Sequence, residues 1–224
     1  MGYYIDLSGM SIAKYKQILK SADLLPSHMI LKNNIDEIFG RIEMQEIENV
    51  EELRQALRSK KKLQSFAEQT GISADYLKIL ARNVNGYRQR PSKIKDFNDV
   101  SQVTVLGLED LGITNTLQLY DRILTPQSRH ELSSLAGISE SSLLRLAKLT
   151  DLCRIRWVSH AFAYALLEAG YHSAEQVAES DYNELYEQVK KLNDERQVFR
   201  GHIGLHDMKL CVEAARELPF EIEV

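Results

Sequence analysis

The sequence has few of the residues that break helices or cross-link chains. Proline occurs 4 times in 224 residues, below the usual share of about 5%, and such a proline-poor chain, rich in leucine and glutamate, argues against an all-β fold. Cysteine occurs twice, at Cys153 and Cys211, outside any C-x-x-C pair. One disulfide is possible, but we favour two buried free thiols in a reducing compartment.

Long hydrophobic segments are also absent. The longest strictly apolar run, residues 161–167, is far shorter than the roughly 20 residues of a membrane-spanning helix. The first residues carry neither the basic region nor the apolar region of a signal peptide. We therefore expect a cytoplasmic protein without a membrane partner.

No catalytic or cofactor-binding signature is present. The chain has no glycine-rich phosphate loop, no H-E-x-x-H, no G-x-S-x-G and no paired-cysteine metal motif. His202 and His206 have a spacing that could ligate zinc on one helix face. Two nearby glycines disfavour a regular helix there, and Asp207 fits better as the N-cap of a helix over residues 208–218. We predict a non-enzymatic protein without a cofactor or a metal site.

An internal repeat runs through the chain. Residues 70–82 (TGISADYLKILAR) match residues 136–148 (AGISESSLLRLAK) at an offset of 66. The register continues upstream without a gap, so that Asn49 aligns with Asn115. A repeat of this kind indicates related helical units.

Capping patterns predict where helices begin. Asn49, Asn115 and Ser173 are each followed three residues later by Glu or Gln. In such a capping box the first side chain accepts from an early helical N–H and the second reaches back. Helices are expected to start near residues 50, 116 and 174, and Ser73 and Ser139 are expected to cap two more.

These patterns predict an all-α fold of tandem short-helix repeats. Apolar residues recur at helical spacing, and alternation with a period of two is almost absent. The stretch at residues 88–93 is the best linker. We place a diverged N-terminal repeat half at residues 1–92 and a C-terminal half at residues 93–224.

Several segments of the C-terminal half carry a family resemblance. They are a turn at 154–160 (RIRWVSH) leading into 161–170 (AFAYALLEAG), residues 94–101 leading to LGI at 111–113, and GISE at 137–140. Together they resemble the bacterial domain-of-unknown-function family 4332, which is related to helix-hairpin-helix proteins. The resemblance covers about residues 94–218, and the N-terminal half looks like a more diverged copy.

The resemblance implies degenerate helix-hairpin-helix units. Such units commonly bind nucleic acid without regard to sequence, because a glycine-containing turn exposes backbone N–H groups to a phosphate at a helix N-terminus. Here Trp157 and Ser159 stand where the motif would have its glycines, and Asn98 and Asp99 stand at the turn of the middle copy. The departures keep the hairpin's structural role but prevent the close approach of the backbone to a phosphate.

Charge is unevenly distributed along the chain. The net charge of −4 combines +3 over residues 1–100 with −7 over residues 101–224. Residues 58–95 alone carry +8, which could steer a polyanion. The alternatives are a solvated helix face with a basic linker, or electrostatic association between the two halves.

We hypothesise that the protein is a helical binding module with weak, sequence-independent affinity for nucleic acid. The alternative is a protein–protein adaptor in which the hairpins are purely structural. For the hairpin residues themselves, the alternative to phosphate contact is that Trp157 and Val158 pack the hairpin while the arginines cap helix C-termini or pair with acids such as Asp151. The candidate nucleic-acid-binding residues are Lys60, Lys61, Lys62, Arg82, Arg88, Arg90, Lys93, Lys95, Arg154, Arg156, Ser159 and His160.

Overall fold

The computed structural model describes residues 2–224, and these form an all-α protein. No β-strand occurs within these residues, and extended pairing is limited to two isolated bridges, Ser11–Asn49 and Lys93–Asn115. The predicted all-α class is confirmed. The chain divides into two compact units: an N-terminal unit of residues 5–88 and a C-terminal unit of residues 2–4 with 89–224.

The N-terminal unit is built from short helices around its own core. They are α1 (Ile12–Ser21), a 3₁₀ helix (Pro26–Lys32), α2 (Ile35–Glu43), α3 (Val50–Ala56), α4 (Lys60–Thr70) and α5 (Ala74–Gly86). Tyr15, Phe39 and Leu77 are fully buried in this core. The Tyr15 hydroxyl donates to Asn83 Oδ1 at 2.7 Å, so that burial leaves neither polar group unsatisfied.

Two helices of the C-terminal unit pack against most of the others. Its helices are a 3₁₀ turn (Ile94–Asp96), α6 (Gln102–Glu109), α7 (Thr116–Tyr120), α8 (Pro126–Ala136), α9 (Glu140–Leu152), α10 (His160–Glu168), α11 (Ala174–Glu179), α12 (Tyr182–Arg196) and α13 (Leu205–Ala215). Helix α9 packs against α7, α8 and α10, while α13 packs against α11 and α12. Leu146, Leu149 and Leu152 of α9 are buried and fill the space between these neighbours.

Local capping sets the helix starts that the sequence predicts. Helices α3, α7 and α11 begin at the predicted residues, and the side chain of each cap residue accepts from the backbone N–H three positions on. The second half of the capping box differs in detail. Glu52 accepts from the N–H of Glu48, the residue before the cap. In the same way, Gln118 accepts from the N–H of Thr114 and Gln176 from the N–H of His172. The predicted caps Ser73 and Ser139 are confirmed.

Helix boundaries follow the 66-residue offset of the sequence match. Helices α3, α4 and α5 begin at Val50, Lys60 and Ala74, and α7, α8 and α9 begin at Thr116, Pro126 and Glu140. Gly71 and Gly137 end α4 and α8 in the left-handed conformation, at φ +65° and +64°. The matching residues of the two segments therefore share their caps as well as their apolar positions.

The helix predicted over residues 208–218 begins earlier than expected. Helix α13 starts at Leu205, and Asp207 lies in its first turn rather than at its N-cap. The Asp207 carboxylate accepts from the N–H of Gly204 at 3.2 Å, which satisfies one of the donors that a helix start leaves open. His202 precedes the helix and His206 lies within it, so the two do not share a helix face.

Cys153 and Cys211 are both buried and both free, as predicted. Burial raises the pKa of each thiol to about 12, because the thiolate would lose its hydration. Across residues 2–224 no three His, Cys, Asp or Glu side chains gather into a metal-binding group. No helix of this described part has the length and apolar character needed to cross a bilayer.

Candidate nucleic-acid interface

The loop between α9 and α10 lies at the centre of the candidate site. It ends at Ser159, whose hydroxyl accepts from the N–H of Phe162 at 3.2 Å and caps α10. Within the loop, Trp157 has φ +67°, in the left-handed region that glycine adopts without strain. A position where the sequence pattern would place glycine therefore keeps a glycine-like backbone while carrying an indole ring.

The side chain of Gln89 holds this loop in shape. Its Nε2 donates to the carbonyl oxygens of Cys153 at 2.5 Å, Ile155 at 3.0 Å and Val158 at 3.4 Å. Its Oε1 accepts from the N–H of Trp157 at 2.9 Å. One carboxamide thus satisfies both kinds of backbone group around the left-handed residue.

Four backbone amides of the loop are already hydrogen-bonded within the protein. The N–H groups of Arg154, Ile155 and Val158 donate to carbonyls within the turn, and that of Trp157 donates to Gln89. These four amides are not available to an anion, so side chains and the first amides of α10, which lack intrahelical acceptors, are the main groups that could bind one here.

Arg154, one of the predicted contacts, is buried and fully engaged. Its side chain is 0% exposed, and Nη1 pairs with Asp151 at 2.7 Å. Nε and Nη2 donate to the carbonyls of Tyr3 at 3.2 Å and Pro219 at 2.8 Å, and the guanidinium lies 4.8 Å from the Tyr120 ring centroid. Burial raises the pKa of Asp151, against the hydrogen bonds that the carboxylate accepts. Arg154 is out of reach of a phosphate, and the pairing with Asp151 is the one that the alternative interpretation expected.

Arg156 points to an acid and to the indole ring. Its Nη2 lies 2.9 Å from Glu217 Oε2, with 12% of the side chain exposed. Its guanidinium carbon lies 4.6 Å from the Trp157 ring centroid. Burial raises the pKa of Glu217, and the charge of Arg156 opposes that shift. Arg156 therefore supports the indole, while Val158 is buried and Trp157 remains 44% exposed.

A groove beside the loop brings together four of the predicted residues. Its volume is about 420 Å³, and its walls are residues 89–93, the loop and the start of α10. The side chains on its walls that could contact nucleic acid are Arg90, Lys93, Trp157, Ser159 and His160. Cations, a hydroxyl, an imidazole and an aromatic ring thus face one concave surface, which we call the α10 groove.

A cationic ridge separates the α10 groove from a second groove of about 480 Å³. Arg90 and Lys93 border both grooves, and Lys95 borders the second. All three side chains are exposed. Acidic side chains are present as well, with Asp96 in the α10 groove and Glu109 in the second, so the excess of positive charge is small.

The other predicted contacts lie on the N-terminal unit. Residues 60–62, all lysines, form the exposed first turn of α4, which contains no acidic side chain. Positive charge at this end opposes the helix macrodipole. Arg82 is exposed on α5, and Arg88 lies 3.8 Å from Glu51 Oε2.

Gln89 and Trp157 are absent from the site residues predicted from the sequence. Trp157 carries a signal, because it is the only tryptophan of the chain and stands at an expected glycine position. Gln89 carries none, because the carbonyls that it binds lie 64 to 69 residues away in sequence.

Comparison with protein families found a match in the C-terminal unit. The family model described as Domain of unknown function (DUF4332) matches residues 99–218, more than half of the chain. The match includes α10 and the loop before it and excludes the cationic ridge. Searches among curated proteins and among solved structures found no match. The chain belongs to the DUF4332 family of domains of unknown function.

Proposed function

We propose that the C-terminal unit binds nucleic acid through its phosphates, weakly and without sequence preference. The observation that carries the proposal is the α10 groove, where Arg90, Lys93 and His160 line one surface. Exposed cations such as Arg90 and Lys93 contact phosphates whatever the base sequence, and the His160 ring adds a hydrogen-bonding group. The helix-hairpin-helix relationship remains a working hypothesis, with most of the phosphate contact assigned to side chains.

The start of α10 adds backbone donors to this groove. Ser159 uses its hydroxyl for the N–H of Phe162, and the remaining first amides of the helix are suited to an anion. The groove holds only a few cations, and Asp96 opposes them. Weak binding follows, because each neutralised phosphate adds a limited, salt-dependent contribution.

The first turn of α4 is a second cationic surface, on the N-terminal unit. Lysines at residues 60–62 cost stability at a helix N-terminus, by about 0.3–1 kcal/mol each when exposed at low salt. A bound polyanion would offset this cost by neutralising the lysines. Arg82 and Arg88 belong to the same unit and are the further candidates there.

A salt series with charge-reversed variants tests the proposal. Lys93→Glu with Lys95→Glu is compared with Lys190→Glu and Lys191→Glu, which reverse two exposed charges on α12. We expect duplex and single-stranded DNA to bind at low salt with a steep negative slope of log affinity against log salt. The ridge variant should bind more weakly with a shallower slope, while the α12 variant should stay close to wild type. Absence of binding at low salt, or equal effects of both variants, contradicts the proposal.

A protein–protein adaptor is the second candidate, and it is favoured by an exposed apolar surface. Val103 and Leu106 lie on one face of α6, and each is at least half exposed, as is Leu135 of the adjoining α8. The two helices approach closely, since a Cβ at Gly107 would lie 2.5 Å from the carbonyl oxygen of Ala136. Exposed apolar groups that cluster often mark a binding surface.

The adaptor is tested by Val103→Lys with Leu106→Lys. We expect a protein captured by the wild type to be lost with this variant and kept with the ridge variant Lys93→Glu, Lys95→Glu. The reverse pattern assigns the partner to the cationic ridge instead.

A further inference from the structure

We propose that Trp157 is a stacking platform for an unpaired base, so that the α10 groove prefers single-stranded over duplex nucleic acid. The inference rests on the proposed function and names its substrate class. It depends on the placement of the indole ring, which phosphate binding alone does not require.

The Trp157 ring is exposed although its backbone is strained, so burial of the ring does not offset the strain. Trp157 keeps 44% of its surface exposed although its backbone has φ +67°, a conformation that is strained for residues other than glycine. If the position served only the turn, glycine would fit this backbone without strain. If Trp157 served only to pack the loop, its ring would be buried. Strain combined with exposure is typical of a residue held for contact with a ligand.

The ring is also held in place before any ligand arrives. Gln89 accepts from the Trp157 N–H and ties down the carbonyls on either side. Arg156 lies against the ring at 4.6 Å and is itself anchored by Glu217 at 2.9 Å. An aromatic ring backed by a guanidinium loses little freedom when a base stacks on its open part.

The surroundings of the ring suit a nucleotide rather than an apolar ligand. Trp157 shares the α10 groove with Arg90, Lys93 and the start of α10, so a base on the indole would have its phosphates next to cations. Stacking of bases on aromatic side chains beside a cationic groove is sequence-tolerant. Bases in a duplex are covered by their neighbours, so only an unpaired base can use the ring.

The single tryptophan makes a direct measurement possible. Emission from Trp157 is followed while a short oligothymidylate, a duplex of the same length, or inorganic polyphosphate is added. We expect strong quenching by the single strand, weak quenching by the duplex, and little by polyphosphate, which has charge but no bases. Binding of each polyanion is measured in parallel by competition with a labelled oligonucleotide.

Variants separate stacking from support of the loop. Trp157→Gly suits the left-handed backbone, and Trp157→Phe keeps an aromatic ring. We expect Trp157→Gly to weaken single-strand binding by about tenfold or more, with polyphosphate binding unchanged, and Trp157→Phe to retain most of the affinity. Equal losses for single strand and polyphosphate overturn the inference, as does single-strand binding without quenching.

The two proposals fail in different ways. If no polyanion binds at low salt, the proposed function itself is wrong. If polyphosphate and single strands bind, but wild type and Trp157→Gly bind the single strand equally well, phosphate binding stands and the stacking platform is wrong.

Discussion

At the scale of single residues, the loop before α10 depends on one side chain from elsewhere in the sequence. The Gln89 amide donates to three carbonyl oxygens and accepts from Trp157. Each such bond contributes about 0.5–1.5 kcal/mol net. The glycine-like conformation of Trp157 persists because these bonds outweigh its strain.

Replacing Gln89 tests this dependence. We expect Gln89→Ala to lower the free energy of unfolding by about 2–3 kcal/mol, because several bonds are lost together. Gln89→Glu should be worse at neutral pH, since its carboxylate would face carbonyl oxygens. That environment raises the pKa of the introduced acid above its usual value of about 4.3, so the stability of Gln89→Glu should improve as pH falls and the acid regains a proton to donate.

Urea denaturation of both variants at neutral and acidic pH measures these effects. Gln89→Ala serves as the control, because it has no group at that position to titrate. If Gln89→Glu shows the same pH dependence as Gln89→Ala, the carboxylate does not face the carbonyls.

At the scale of helices, the caps account for most of what could be predicted. Asn49, Asn115 and Ser173 bond to amides only three residues away, so their effect is readable from the sequence. Helix α13 starts three residues before the predicted position, because Asp207 can act either as a cap or in the first turn. Only the packing of the helix chooses between these two roles.

Helix α4 combines a good cap with an unfavourable charge pattern. Ser59 caps the helix, but Lys60, Lys61 and Lys62 follow in its first turn. We expect the triple change of these lysines to Glu to raise the free energy of unfolding by about 2 kcal/mol or more at low salt, because three unfavourable charges are removed and three favourable ones are added near the macrodipole. Helix propensity hardly changes, since Lys and Glu rank closely.

Denaturation of the triple variant at low and high salt measures this gain, which should fade as salt screens the charges. The same variant should bind nucleic acid more weakly, so a loss of binding in a more stable protein cannot be attributed to unfolding. The pair Lys190→Glu and Lys191→Glu, in the interior of α12, is the control and should give no gain. A triple variant less stable than wild type would show that the lysines support the fold.

At the scale of the whole molecule, the C-terminal unit includes the first described residues of the chain. Tyr3 is buried, and its hydroxyl shares a 2.7 Å hydrogen bond with Thr116 Oγ1. Its ring meets Tyr120 edge-on at 5.6 Å, and its carbonyl accepts from Arg154. Along the chain, residues 5–88 therefore interrupt the C-terminal unit, whose core includes Tyr3.

Removing the Tyr3 side chain should destabilise the C-terminal unit. We expect Tyr3→Ala to cost about 3–5 kcal/mol, as for other buried aromatic residues, and Tyr3→Phe about 1 kcal/mol for the hydrogen bond. Trp157 emission reports on this unit during urea denaturation. Tyr182→Ala, at the partly exposed start of α12, is the control. A cost for Tyr3→Ala no larger than that of the control would contradict its place in the core.

The sequence by itself determined the all-α class and, except at α13, the predicted helix starts and caps, because each depends on residues within one helical turn. It also determined the family, through segments of local pattern. Only the tertiary structure decided which cations are accessible. Arg154 and Arg90 look alike in the sequence, yet Arg154 binds the carbonyl of a residue 151 positions away and Arg90 lines an open groove. Whether a charged side chain is buried, and which groups it bonds to, depends on residues distant in sequence that the fold packs around it, so the local sequence does not show it.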